Sequence, residues 1–533
     1  MNVMRLILKL LCVAGALAIL APGASSAPKL GVEVANARKG IDQAVSRGHL
    51  DAEGAATYKT MLTRAYSIWG KLNGQRASEL EAVIRDVAAQ WRTYNRPRAL
   101  TLFSMLDFNA EHFAGHGPLS SGRDAQDEEG VVYRAFPGHG LQFHPLANFA
   151  KLNSYLGANR LDEASFLGLA LIARGVPKGD SLSWEYNFQF GSGRPPWTSG
   201  MAQAVAAQAF GRGQEKLGDP AFAAAAQKAF RAIPGKLVRS LPEGLFIRLY
   251  SFSDLAVLNA HLQAVVSLED YALALEDPRG QEVAGQLRAS AAAILPKFDT
   301  GSWTLYALGA NESTLDYHRY VVSLLKRIGA RNKDPFWTDY GNRFAAYEDV
   351  PPTLTPGAAG PPAYPRPLDG FRDYATVQFT LSKISRVTIA VGNARRTELL
   401  GRGRKAVEVY PGRVPAGSYP VSVKAVDLAG NRAELELPAA TVKVDTVAPV
   451  VTARLVGKRL VWRGRDVETP WLDLRLRLVG ESHNARVVQL GKKPLRGSMR
   501  LFPKPGTWHT TLIARDSTGN RTEVPLGVLR GSQ

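Results

Sequence analysis

The chain has 533 residues, 45% of them hydrophobic and 21% charged, the makeup of a folded protein with room for several domains; that excludes a disordered chain and a single small module. Its one cysteine, Cys12, lies in the first apolar stretch, so the folded body is expected to lack disulfides, thiolate metal sites and a cysteine nucleophile. The formal net charge is +19, and residues 451–533 hold 16 Lys or Arg against 6 Asp or Glu; on an exported chain this surplus favours an anionic glycan or lipid over nucleic acid, with a plain solvated surface as the bland reading.

Arg5 and Lys9 precede an apolar run over 10–20 and the small residues Ala24, Ser25, Ser26 and Ala27. This is the pattern of a secretory signal peptide, residues 1–27, cut after Ala27. Cys12 sits too early, and without small residues before it, for a lipoprotein anchor. No later stretch approaches the roughly 18 apolar residues of a membrane span. The expectation is an exported protein, secreted, periplasmic or at the cell surface, with no membrane span.

Residues 28–130 read as a helical N-terminal region. Met61, Leu62, Ala65, Tyr66 and Trp69 share one helix face, as do Leu80, Val83, Ile84, Val87, Ala88 and Trp91; a Gly/Ser/Asp-rich loop covers 115–130. Residues 131–348 form a longer helical region with Ala-rich helices over 200–211, 220–232 and 280–295, joined by short loops crowded with aromatics. Paired helices of this total length predict an α/α barrel or toroid with a cleft built from loops at one end.

Residues 349–370 are a Pro/Gly-rich linker without periodicity. Beyond it the period becomes two, as in Val377-Gln378-Phe379-Thr380-Leu381 and Trp471-Leu472-Asp473-Leu474-Arg475-Leu476. Gly417-Ser418-Tyr419, followed by Asp427-Leu428-Ala429-Gly430-Asn431-Arg432, recurs as Gly506-Thr507-Trp508 and Asp516-Ser517-Thr518-Gly519-Asn520-Arg521. The repeat predicts two tandem antiparallel β-sandwiches, 371–445 and 446–533, the second basic, each closing on this turn as Ig-like or fibronectin-like modules do. A single Asp in the turn offers too few ligands for Ca²⁺. The fold class is therefore a multidomain α + β chain: an α/α barrel followed by two sandwiches.

Three stretches of the helical half are rich in polar aromatics, arginines, amides and glycine: 184–203, 246–259 and 299–318. Rings stack on pyranose faces and a guanidinium grips a carboxylate in a fork. Where such a cleft holds a uronate, a proton on the carbon α to the carboxylate can be lost, and inversion of that carbon would require another to arrive on the opposite face. Arg194 and Arg248 are candidates to neutralise the carboxylate. A base is needed on each face, or a base and a water, and a tyrosine serving as base needs activation. If the C4 oxygen leaves instead, the same carbanion gives elimination. Taken alone, a buried tyrosine in a helical domain is ordinary packing. His139 and His144 flank a Gly-rich turn without a third metal ligand. Glu185 has no evident partner carboxylate for glycoside cleavage, and Asn311-Glu312-Ser313 fits a glycosylation sequon.

Pro196-Trp197 leading into Ser199-Gly200-Met201-Ala202-Gln203, then Leu258-Asn259, Asp299-Thr300-Gly301-Ser302 through Thr304 and Tyr306, and Asp316-Tyr317-His318 together resemble the C-terminal catalytic domain of the D-glucuronyl C5-epimerases, over about residues 130–345. Phe143-His144-Pro145 is a weaker echo. The resemblance implies an α/α barrel and catalytic tyrosines at Tyr250, Tyr306 and Tyr317; Tyr306 and Tyr317 are alike in role if they serve opposite faces of the sugar. It also implies substrate binding by Arg194, Trp197, Gln203, Arg248, Asn259 and His318, with no metal among the site residues. Two departures stand out. Arg248-Leu249 precedes Tyr250 where the animal enzymes have an acidic residue, and the β-rich part follows the helices instead of leading them. No cofactor is required, a divalent cation being the one the chemistry would accommodate. The expected activity is uronyl C5 epimerisation, an isomerase reaction, on an anionic uronic-acid polysaccharide such as a heparan-like glycan. A uronate lyase on the same barrel and a non-catalytic glycan-binding surface protein are the competing readings. The polymer, linkage and oligomeric state are not legible.

Overall fold

A computed structural model describes residues 30–481 and 484–531; the expected signal peptide lies outside the described residues. Two compact units divide at Glu348 and Asp349, where the composition turns Pro- and Gly-rich.

The first unit opens with helices α1 (Leu30–Ser46), α2 (Ala52–Trp69), α3 (Gly74–Ala89) and α4 (Arg96–Gly115). Asp51 and Asn95 cap α2 and α4 by accepting from the Gly54 and Arg98 amides, satisfying orphan donors of the first turn. The apolar stripe Leu80, Val83, Ile84, Val87 of α3 is fully buried. A three-stranded antiparallel sheet follows, β1 (Asp124–Gln126), β2 (Val132–Phe136) and β3 (Gly140–Phe143). Sequence reading makes 115–130 a loop and ends a region at 130. The β1–β2 ladder, with Asp124 opposite Arg134, crosses that point. Buried Asn109 of α4 bonds backbone on β3, its amide donating to Leu141 O at 2.7 Å. Residues 30–130 and 131–348 are therefore one unit.

Eight longer helices come as four pairs: α5 (Pro145–Gly157) with α6 (Leu161–Arg174), α7 (Gly200–Leu217) with α8 (Pro220–Arg231), α9 (Leu258–Ala274) with α10 (Pro278–Ile294), and α11 (Leu315–Asn332) with α12 (Pro335–Ala346). Hairpins β4 (Val176–Lys178)–β5 (Ser181–Ser183) and β6 (Val238–Leu241)–β7 (Gly244–Ile247) precede α7 and α9. Helix α5 packs on α7, α7 on α9, and α9 on α11, so the first helix of each pair forms one layer and its partner another. The layer is apolar almost all round: 13 residues of α7 and 13 of α9 are buried, as expected of helices covered on both faces. Sequence reading stops α7 at Gly211. The helix continues because Gly213 seats the Phe222 ring, where an added Cβ would approach it to 2.3 Å, and it ends at Gly218 in the left-handed region, φ 72°.

The second unit contains two β-sandwiches. In the first, β8 (Leu354–Pro356), β9 (Ala375–Leu381) and β12 (Gly403–Val409) face the sheet ordered β11 (Ala394–Leu400), β10 (Ser385–Val391), β13 (Gly417–Asp427), β14 (Arg432–Val442). Val377, Phe379 and Leu381 of one sheet pack with Val387, Ile389 and Val423 of the other, so alternating burial along β9 points every second residue inward. The expected linker is woven into this sandwich: Leu354 pairs with Leu381 and Ala363 bridges Val442. The second sandwich repeats the topology with β15 (Val450–Val456), β16 (Arg459–Arg465) and β19 (Arg496–Arg500) facing β18 (Ala485–Pro494), β17 (Trp471–Gly480), β20 (Gly506–Arg515) and β21 (Arg521–Gly531). The repeated turn joins β13 to β14 and β20 to β21. In both copies the Asp side chain accepts from the amide of the Asn four residues on, at 2.9 Å.

Candidate active site

Backbone hydrogen bonds knit the starts of three first-layer helices to the loop segments beside them. Leu146 N, in the first turn of α5, reaches the Tyr186 hydroxyl at 3.5 Å. Gly200 N, opening α7, donates to Arg248 O at 3.0 Å, and Leu258 N, opening α9, donates to Tyr306 O at 3.2 Å. The loops before α7, α9 and α11 thus gather at one end of the layer, with helix N-termini and their partial positive charge facing them. Thr314 caps α11 by accepting from the Tyr317 amide, placing Tyr317 in the first turn there.

This end brings the three expected tyrosines together. Tyr306 and Tyr317 touch, with ring centroids 5.1 Å apart and planes 54° to one another. Tyr250 is buried; burial, and then the neighbouring Tyr306, Tyr317 and Tyr186 hydroxyls, push its own hydroxyl far above the usual range, since a phenolate there would sit unsolvated among other phenols. Burial alone pushes Tyr306 up to about 12. Among the described residues no hydrogen bond is directed at the Tyr250 or Tyr306 hydroxyl. Trp197 is the wall of the site: its ring lies flat on Tyr186 at 4.1 Å and 2° and meets Tyr250 and Phe252 edge-on at 5.2 and 5.3 Å. Tyr186 and Trp197 also exchange backbone hydrogen bonds of 2.8 and 3.1 Å, and the Trp197 indole N–H donates to Phe188 O at 2.8 Å. Gly193 admits the Phe252 ring so closely that a Cβ would come within 2.2 Å of it.

The expected binding residues divide. Arg194 is exposed beside this wall and forms no ion pair among the described residues. Arg248 is already paired with Asp254. Asn259 is buried in the first turn of α9. Gln203 and His318, expected to bind substrate, are engaged inside the protein. The Gln203 amide donates to Leu182 O at 2.6 Å and Ala229 O at 3.1 Å. One His318 ring nitrogen meets the Thr304 hydroxyl and the other Phe344 O, both at 2.9 Å, while the ring stacks on Trp303 at 3.8 Å. Neither nitrogen is left for a ligand, so His318 holds the 299–318 segment in place. The expectation that Tyr306 and Tyr317 flank the sugar is likewise corrected, because rings in contact leave no room for a pyranose between them.

His144 caps α5, its Nδ1 accepting from the Ala147 amide at 3.0 Å; burial, and then Arg134, hold its pKa well below the ordinary value, so it is a neutral structural histidine. His139 contacts Asp86 at 3.4 Å. Among the described residues, these histidines belong to no cluster able to hold a metal. Glu185 is clamped by Arg98 at 2.8 Å and Lys178 at 3.0 Å, its carboxylate engaged in two ion pairs. Tyr186 was not among the expected residues; its stacking on Trp197 and closeness to Tyr250 are its only signals, and both are spatial.

The site thus gathers three tyrosines, two on loops and one in a first helical turn, at the helix N-termini of a helical unit. Residues 178–346 match the protein family described as D-glucuronyl C5-epimerase C-terminus, and all three tyrosines lie inside that segment. No curated protein matches the chain. Among solved structures, the chain is similar to an α-mannanase of family GH76 from Bacteroides thetaiotaomicron (12% identity, 60% of this chain and 84% of that one, TM-score 0.31). It is also similar to the endo-β-1,4-glucanase CMCax from Acetobacter xylinum (13%, 44% and 78%, TM-score 0.28). The third is the fibronectin(III)-like modules of Clostridium thermocellum CbhA (15%, 34% and 94%, TM-score 0.16). TM-scores this low leave these resemblances without weight for fold or function.

Proposed function

We propose that the protein is an exported uronyl C5-epimerase that inverts C5 of uronic-acid residues within an anionic polysaccharide, on an α/α barrel, with the two sandwiches acting as Ig-like glycan-binding or spacer modules. The observation that carries this reading is the gathering of Tyr250, Tyr306 and Tyr317 at the helix N-termini, within the segment that matches the epimerase family.

The chemistry follows from the groups present. Arg194, with no ion pair of its own among the described residues, neutralises the uronate carboxylate and so eases loss of the C5 proton. Helix N-termini add positive potential where the carbanion's charge spreads onto that carboxylate. Burial raises both Tyr250 and Tyr306, so each holds its proton at neutral pH. Tyr250 delivers its proton to the carbanion. The touching pair Tyr306 and Tyr317 works from the other face, where the negative charge of one phenolate is eased by its neighbour's O–H. Phe252, half-buried against this wall, offers an apolar face for the sugar ring. No step requires a cofactor.

Incubating the protein with glucuronan, heparosan and alginate in D₂O tests this. Deuterium at C5 together with inverted residues supports the epimerase. Unsaturated products absorbing in the ultraviolet would make it a lyase, and binding without either change would make it a glycan-binding protein.

A further inference from the structure

The two copies of the Asp-containing turn are built alike but neutralised differently. In the first sandwich Asp427 is paired with Lys383 at 2.6 Å, both side chains 1% exposed. Against the upward push of burial, hydrogen bonds from Lys383 and Asn431 hold the Asp427 carboxyl below its usual value. A buried carboxylate with a buried ammonium is a closed account.

In the second sandwich the corresponding connection, between β16 and β17, brings no lysine. It supplies Asp466 and Glu468 instead. Asp516 of the turn, Asp466, and Asp445 from the segment joining the two sandwiches each present a carboxylate oxygen, and the three oxygens lie within 4.8 Å of one another. Two of these side chains are held by backbone: Asp445 Oδ1 accepts from Val447 N at 2.9 Å, and Asp466 Oδ1 accepts from Glu468 N and Thr469 N at 2.8 and 3.0 Å. Asp516 is oriented by Asn520, whose side-chain and backbone N–H groups both donate to it at 2.9 Å.

A second observation is independent of this clustering. Glu468 is 3% exposed, and no well-formed hydrogen bond reaches either of its carboxylate oxygens; Oδ2 of Asp445, a residue 7% exposed, is equally buried and unpartnered. The Tyr364 hydroxyl and Arg372 lie near Glu468, as do Asp445 and Asp466. Buried carboxylate oxygens without donors, beside two further carboxylates, are strongly unfavourable unless a cation completes them. All the donors are hard oxygens, and carboxylates in this number are the ligand set of Ca²⁺.

We propose that Asp445, Asp466, Glu468 and Asp516 form a Ca²⁺ site that ties the connection between the sandwiches to the second of them. A one-carboxylate turn would be too poor a ligand set. The connecting segment and the β16–β17 loop supply the other carboxylates, and the ion does for the second copy of the turn what Lys383 does for the first.

Calorimetric titration of the full chain, stripped with EDTA, with CaCl₂ and separately MgCl₂ tests this. One Ca²⁺ per chain is expected, with a Kd on the order of 10⁻⁶ to 10⁻³ M and weaker Mg²⁺ binding. Saturating Ca²⁺ should raise the melting temperature of the β-rich unit by on the order of 5 °C. Glu468→Gln with Asp466→Asn should abolish both responses while raising the melting temperature of the metal-free chain, since it removes uncompensated charge. Asp445→Asn gives the same decision if that pair does not fold, and Asp427→Asn, in the first copy, should leave Ca²⁺ binding intact. No saturable heat up to about 10 mM Ca²⁺ would overturn the site, as would binding that survives in the Glu468 and Asp445 variants. Mg²⁺ binding as tight as Ca²⁺ would overturn the choice of ion.

Discussion

Tyr250→Phe separates chemistry from packing because the two readings predict effects of opposite sign. The Tyr250 ring meets Phe190, Trp197 and Phe252 at 5.5, 5.2 and 5.4 Å, and phenylalanine keeps those contacts. Only the hydroxyl is lost, and among the described residues no hydrogen bond is directed at it. Removing a buried polar group that has no partner is neutral to stabilising, so the melting temperature should hold or rise, by up to about 1 kcal/mol of stability. Turnover should fall at least about 100-fold, the typical contribution of a positioned acid, equivalent to about 2.7 kcal/mol of transition-state stabilisation. The assay is NMR of C5 hydrogen exchange and of inversion, followed separately in D₂O. If Tyr250 is the proton donor, the variant should still release the C5 hydrogen, with exchange exceeding inversion. A variant that is as stable as the parent and inverts at nearly the parental rate would make Tyr250 wall, not acid, and would remove the division of labour between Tyr250 and the Tyr306/Tyr317 pair.

Four further outcomes follow from the same geometry. Gly193→Ala puts a methyl group 2.2 Å from the Phe252 ring, so thermal unfolding should show a loss of about 1–3 kcal/mol and KM should rise as the aromatic wall shifts. Because the folded-state pKa of Tyr306 is raised from about 10 to about 12, its contribution to stability is whole below pH 10 and is lost as the pH climbs toward 12; Tyr94, Tyr186 and Tyr320, shifted the same way by burial, should steepen the alkaline fall in melting temperature. A chain truncated after Glu348, where the first unit ends, should keep its helical circular dichroism and its activity on short oligosaccharides. Replacing Lys492, Lys493 and Arg496 by Ser should weaken retention on a uronate polymer and flatten its salt dependence, because exposed charges are screened over roughly 10 Å at 0.1 M salt, while turnover of short substrates stays the same.

What could be read from the sequence was what repeats or alternates. The inward residues of β9 and β17, the paired Asp-turn hairpins and the apolar faces of α2 and α3 each follow a period, and a period survives without coordinates. The tyrosines were legible only through the run of neighbours around each. Partners distant along the chain were not. His318 looks like a ligand until the Thr304 hydroxyl and Phe344 O take up its two nitrogens, and Gln203 likewise until Leu182 O and Ala229 O claim its amide. The carboxylates at 445, 466 and 516 share no motif, so the Asp516 turn read as a lone acid. Gly211 and Gly213 looked like a helix stop because the reason for Gly213, the Phe222 ring, lies on the next helix.

Tyr250 hangs on the connection before α9, Tyr306 on the connection before α11 with Tyr317 in the turn that follows it, and the Trp197 wall on the connection before α7. Each connection is anchored at the foot of the preceding first-layer helix, so the layer beneath does not depend on what the loop carries. Such a site is modular in its ancestry. A recombination or insertion within one connection can exchange one side of the site and leave the others in register. Descendants of this arrangement can therefore diverge in the ligand they accept by editing single loops without refolding the helices that hold them.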